Sequence, residues 1–215
     1  MSFNGPAAVD YRNVEALNRA YLLLLQSRTA LRQSLAQLSP PLCRSMTSLT
    51  NRQVARLSAT PFLLLSLRER DDHLWDQVFA GDSELLVPPL TDDLDRLRSA
   101  TLGFAWQLAR QNPYTLRLIC GASLHWCERI AERTVFDLLA AVSPYPDLLV
   151  LRRADDHDLW QKLLADGISR DTAVRRAAHM CALQTVLTRP FVNNPRRFAI
   201  AACKSARPGL QVADE

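Results

Sequence analysis

Two stretches of this 215-residue chain read almost alike. Residues 64–75 run Leu-Leu-Ser-Leu-Arg-Glu-Arg-Asp-Asp-His-Leu-Trp, and residues 148–160 run Leu-Leu-Val-Leu-Arg-Arg-Ala-Asp-Asp-His-Asp-Leu-Trp. In both, mainly apolar residues lead to arginine, then to Asp-Asp-His and Leu-Trp, with Asp158 as a single extra residue in the second. The likeness extends both ways. Asp76-Gln77-Val78-Phe79 faces Gln161-Lys162-Leu163-Leu164, residues 54–61 face 136–144 with a small insertion, and residues 21–26 face 102–107. Asp71 and Asp155 lie 84 residues apart, so the chain reads as two units of about that size, 11–86 and 91–166, and a tail, 167–215. Two copies are too few for a solenoid and suit a pseudo-symmetric pair, one chain doing the work of a homodimer. A unit of this size buries a modest core, so each copy is expected to lean on the other.

Periodicity predicts an all-α fold. Val14, Leu17, Tyr21, Leu24, Leu25, Leu31, Leu35 and Leu38 fall near helical spacing over 11–38, where Ser39-Pro40-Pro41 stops the helix. A short helix over 42–48 follows, then one capped by Thr50 and closed by Thr60-Pro61. Residues 62–67 form a continuous apolar run after proline and are read as extended. Asp71 or Asp72 caps the next helix, which carries Leu74, Trp75, Val78 and Phe79 and ends at Gly81. In the second unit Thr91 is the expected N-cap of a helix reaching Gln111, followed by helices over 114–127 and 132–142 and the second apolar run. Ser169 is the expected cap of a helix over 170–188, stopped by Arg189-Pro190.

Charge is uneven. Residues 1–166 carry 18 basic and 19 acidic side chains and residues 167–215 carry 8 and 3, so the positive excess lies in the tail. All but Lys162 and Lys204 of the 26 basic residues are arginine, which suits bidentate contact with phosphate, although genome composition produces the same bias. The longest apolar runs fall short of a membrane span and the N-terminus lacks an export pattern, so a soluble, cytoplasmic protein is expected. Cys43, Cys120, Cys127, Cys181 and Cys203 then read as reduced thiols, mostly core fillers.

Three clusters invite chemistry. The Asp-Asp-His strings offer metal ligands that two units could bring together, against the simpler reading in which Asp caps a helix and His packs beside Trp. Cys120, His125 and Cys127 make a C-x4-H-x-C set that could recruit His179 or Cys181, but its spacing matches no standard zinc site and core packing explains it as well. Residues 159–178 resemble a helix-turn-helix with Gly167 in the turn, yet Lys162 and Asp166 fall where that motif buries side chains. No Gly-x-Ser-x-Gly elbow or glycine-rich phosphate loop is present, so no enzyme is expected, and no cofactor or metal is required.

Residues 18–26 (Asn-Arg-Ala-Tyr-Leu-Leu-Leu-Leu-Gln), 49–58 (Leu-Thr-Asn-Arg-Gln-Val-Ala-Arg-Leu-Ser) and the run from Leu63 to Arg68 resemble the FlhD family of flagellar transcriptional regulators. In that family a "sYLLLaQ" helix precedes "LT-x-x-Q-x-x-x-LA" and an apolar run entering a basic residue. The match covers most of the first unit, and the second follows through its likeness to the first. Family members are single units that form homodimers, and their cysteine in the apolar run has no counterpart between Phe62 and Leu67. The resemblance implies two tandem FlhD-like helical repeats forming a pseudo-dimer, plus a basic C-terminal helix and tail. It also implies a hetero-oligomer with an FlhC-like zinc-containing DNA-binding partner, which activates flagellar or mobile-element transfer genes by recruiting RNA polymerase. Arg170, Arg175, Arg176, Arg196 and Arg197 are the expected phosphate contacts. Phe62, Leu64, Trp75, Leu148 and Trp160 are the expected partner-binding positions. The alternative is a protein-protein adaptor that keeps the fold without DNA binding.

Overall fold

The computed structural model describes residues 5–27, 35, 37–81 and 92–188. Among them the chain is all-α, with ten helices and one two-stranded ribbon. The first half holds α1 (Ala8–Ser27), α2 (Pro40–Thr47), α3 (Asn51–Ser58), β1 (Leu65–Ser66) and α4 (Asp72–Ala80). The second holds α5 (Asp93–Gln111), α6 (Pro113–Cys120), α7 (Leu124–Glu132), α8 (Val135–Val142), β2 (Val150–Leu151) and α9 (His157–Ala165), and α10 (Thr172–Thr188) follows. No helix among the described residues is long and apolar enough to cross a membrane.

Local chemistry sets most boundaries. Thr50 closes a capping box on α3: its side chain accepts from the Gln53 amide while the Gln53 side chain accepts from the Thr50 amide. Asp71, Asn112, Ser123, Thr134 and Asp156 each accept from an amide in the first turn of the helix they precede.

Several expected boundaries move. The helix expected over 11–38 is α1, which starts at Ala8; Gln37 and Leu38 are turn or bend, and residues 28–34 and 36 lie outside the described residues. Pro40 and Pro41 do not merely stop a helix but open α2, because a first-turn N–H has no partner to lose. The helix expected over 114–127 breaks at Gly121, which takes a left-handed φ of 62°, and restarts at the Ser123 cap. Asp92, not Thr91, caps α5 through its contact with the Asp95 amide. Ahead of α10 the Asp171 carboxylate, not Ser169, receives the amides of Ala173 and Val174.

The two apolar runs meet each other. β1 and β2 pair antiparallel, Leu65 opposite Leu151 and Ser66 opposite Val150, and the Arg152 amide donates to Leu64 O at 2.8 Å. Leu63, Leu64 and Leu65 are buried, so the ribbon lies inside the helices rather than on a surface. Around it α1 packs on α3 and α5, α5 on α6, α7 and α8, α4 on α8, and α9 on α2 and α10. One core results, drawing Val14, Tyr21 and Leu57 from the first half and Leu102, Ile119 and Leu163 from the second.

Asn18 fixes how β1 leaves α3. Its amide nitrogen donates to Ser58 O at 3.2 Å, Thr60 Oγ1 at 3.0 Å and Phe62 O at 2.9 Å, and its Oδ1 accepts from the Leu64 amide at 2.7 Å. The side chain is buried, so no water can replace these bonds. Arg98 on α5 reaches the corresponding turn of the second half, donating to Tyr145 O at 3.1 Å. Asn18→Ala is expected to lower the unfolding free energy by about 3 kcal/mol, since it strands a buried amide and several acceptors. Urea denaturation checks this, and an Asn18→Ala protein as stable as the wild type would refute the role.

Candidate functional site

The chemistry of the chain concentrates where the two apolar runs turn into α4 and α9. Arg68 and Arg153 take positive φ angles of 52° and 50°, rare for a residue with a Cβ. Each then pairs with the helix cap three residues on, Arg68 with Asp71 at 2.6 Å and Arg153 with Asp156 at 3.1 Å. The Trp75 indole donates to the carbonyls of Leu67 and Arg68, and the Trp160 indole to those of Arg152 and Arg153. These bonds also hold each strained arginine in place. Every corresponding pair is 85 residues apart, which corrects the alignment based on the Asp-Asp-His strings. Asp71 matches Asp156 rather than Asp155, no residue is inserted at Asp158, and the two strings are out of phase by one.

This correction also settles what the strings do. Asp71 and Asp156 are caps, while Asp72, His73, Asp155 and His157 are exposed. His157 Nε2 lies 3.1 Å from Gln37 O across the seam. Among the described residues no group of three or more His, Cys, Asp or Glu side chains could hold a metal ion. The Cys120, His125 and Cys127 set divides in the same way. His125 is exposed on α7, whereas both cysteines are buried. Burial raises both thiols, Cys127 to about 12, so they stay protonated and act as packing.

In the corrected register Arg152 occupies the place of Leu67, and Glu69 the place of Ala154. All four are buried. On one side of the ribbon Leu67 and Ala154 need no partners; on the other Arg152 and Glu69 form an ion pair. The Arg152 guanidinium also donates to the carbonyls of Leu63 at 2.5 Å and Leu65 at 2.8 Å and to Cys120 O. Glu69 in turn accepts from Ser66 Oγ at 2.5 Å. One cation therefore gathers β1, the end of α6 and the loop before α4. Sequence reading passed over Arg152 and Glu69 because aligning the Asp-Asp-His strings places Arg152 opposite Arg68.

The five expected partner-binding side chains are all spent here or nearby. Phe62, Leu64, Trp75, Leu148 and Trp160 are each no more than 1% exposed, so they close the chain on itself and offer no surface to another protein. Trp75 stacks edge-on against Trp126, with ring centroids 5.1 Å apart.

α10 covers one end of the seam. His179, Ala182 and Val186 point inward. A Cβ on Gly121 would come within 2.6 Å of Val186 Cγ1, so glycine there serves both its φ and the approach of α10. His179 Nε2 lies 3.0 Å from Gly167 O in the turn after α9, and Arg56 on α3 donates to Ile168 O at 3.2 Å. Of the expected phosphate contacts, Arg170 is exposed just ahead of α10 and Arg176 is exposed in its first turns. Arg175 is half-buried and turned back on its own loop, donating to Ser169 O at 2.8 Å. Arg196 and Arg197 lie outside the described residues. Lys162 and Asp166 are exposed, so α9 and α10 lack the interior that a helix-turn-helix requires at those positions. The outer side of α10 instead shows Val174, Met180 and Leu187.

Comparison with protein-family models, with curated proteins and with solved structures finds no match.

Arg152→Leu alone leaves the Glu69 carboxylate buried without its cation and should cost about 3–5 kcal/mol of stability. Adding Glu69→Ala reproduces the Leu67 and Ala154 side of the ribbon and should recover much of that loss. A chemical-denaturation double-mutant cycle measures both, and additive losses would refute the pairing. A second expectation concerns pH. Burial holds His179 below its ordinary 6.5, opposed by its hydrogen bond to Gly167 and reinforced by the Arg175 cation. The unfolded chain then takes up a proton first, so the contribution of a neutral His179 is complete above about pH 6.5 and is lost as pH falls toward the depressed folded value. The stability advantage of the wild type over His179→Gln should shrink in that window.

Proposed function

We propose that this chain is a cytoplasmic subunit of a transcription-activating complex, built as an FlhD-like pseudo-dimer. It works with an FlhC-like, zinc-containing DNA-binding partner. The observation that carries the reading is the pairing of the two apolar runs across one ribbon, each followed by the same cap, arginine and indole bonds. On this reading a single chain forms the kind of paired helical body that the FlhD family assembles from two. The units 11–86 and 91–166 are its two halves, and 167–215 adds contacts to DNA or partner. Exposed Arg170 and Arg176, with Arg196 and Arg197, are the phosphate contacts of this reading. The complex would serve flagellar or mobile-element transfer genes and recruit RNA polymerase.

The exposed Val174, Met180 and Leu187 on α10 favour a second reading, a protein-protein adaptor with no role at DNA. Co-purification with the product of the neighbouring gene, followed by titration onto upstream DNA at two salt concentrations, separates the two. The activator reading expects a zinc-bearing complex that binds DNA far better than this chain alone. Alanine at Arg170, Arg176, Arg196 and Arg197 should then weaken binding and reduce the salt dependence of log affinity by roughly 0.9 for each phosphate contact removed. A stable complex without DNA affinity supports the adaptor.

A further inference from the structure

The outer face of α1 is largely left open by the described residues. Arg12, Glu15, Ala16, Arg19 and Leu23 line a shallow hollow along it, edged by Ala20, which is half-buried and also packs on the core. Leu23 is 39% and Tyr11 38% exposed, and Arg12, Glu15, Ala16 and Arg19 are also exposed. Glu15 and Arg19 stand one turn apart, and among the described residues neither takes part in an ion pair. Their order along the helix is the informative feature. The midpoint between Glu15 and Arg19 falls at Leu17, that between Ala16 and Ala20 at Asn18, and that between Arg12 and Leu23 between the two.

A helix face with this order is complementary to itself when reversed. We infer that the α1 face docks a second copy of this chain, the two α1 helices lying antiparallel about a twofold axis beside Leu17 and Asn18. Glu15 of each copy then meets Arg19 of the other, twice over. The alanines sit at the crossing, where small side chains allow the axes to approach. Leu23 and Tyr11 cover the two ends. The stretch from Tyr11 to Leu23 spans about 18 Å, so the contact is small beside a standard interface and the dimer forms only as concentration rises.

Sedimentation of the full chain across a concentration series tests this, with circular dichroism confirming that each variant keeps its helices. The wild type is expected to move from monomer to dimer, less readily at high salt. Glu15→Arg or Arg19→Glu alone places like charges in contact and should raise the dimer dissociation constant roughly tenfold. The double reversal Glu15→Arg with Arg19→Glu should restore association, because both pairs are exchanged together. Ala16→Cys combined with Ala20→Cys should give a cross-linked dimer on oxidation that the wild type, with its own exposed Cys181, does not give. A wild type that stays monomeric at every concentration overturns the inference. So do single reversals without effect, or a double reversal that fails to restore what the singles disrupt.

Discussion

A buried arginine is costly unless everything around it answers it, and Arg152 is answered on every side. Glu69 neutralises it, and the carbonyls of Leu63, Leu65 and Cys120 take its remaining donors. These partners come from β1, from the loop before α4 and from the end of α6, so the guanidinium is fully paired only when both halves of the chain are in place. Hydrophobic burial alone would tolerate small shifts of one half against the other. Four directional hydrogen bonds at one side chain allow far fewer. The pairing of β1 with β2 and the docking of α10 over Gly121 both depend on that fixed geometry.

Much of the helical frame was legible because it rests on short-range chemistry. The Thr50 capping box, the Asn112-Pro113 break and the apolar stripe on α4 are properties of a few neighbouring residues, and each appears where the sequence places it. The extended reading of the first apolar run also holds at Leu65 and Ser66, although the sequence did not say that its strand partner would be the other run. The boundaries that moved are those where two local rules competed. Pro40 can end one helix or begin another, and Gly121 interrupts a periodic pattern only because α10, far along the chain, approaches it.

The candidate site was less legible, for a reason that lies in the alignment itself. The tripeptide Asp-Asp-His is conspicuous, and matching it residue by residue hides the register that the caps and indoles obey. Side chains chosen as partner contacts for their bulk proved to be interior for the same reason: large apolar groups mark what must leave water and do not reveal which surface removes them. Arg175 illustrates the limit for charge, since its position on a basic helix says nothing of the loop carbonyl it turns back to meet.

The contrast between the two sides of the ribbon carries a consequence for symmetry. Two identical subunits cannot place a single arginine beside their common axis; a change on one appears on the other, and two guanidiniums would be buried where one ion pair now suffices. Within one chain the two sides of the ribbon are free to differ. Arg152 with Glu69 on one side and Leu67 with Ala154 on the other is an arrangement that a symmetric pair of identical subunits cannot reach. A symmetric pair built from either half alone would therefore forfeit it, because neither half carries both Arg152 and Glu69.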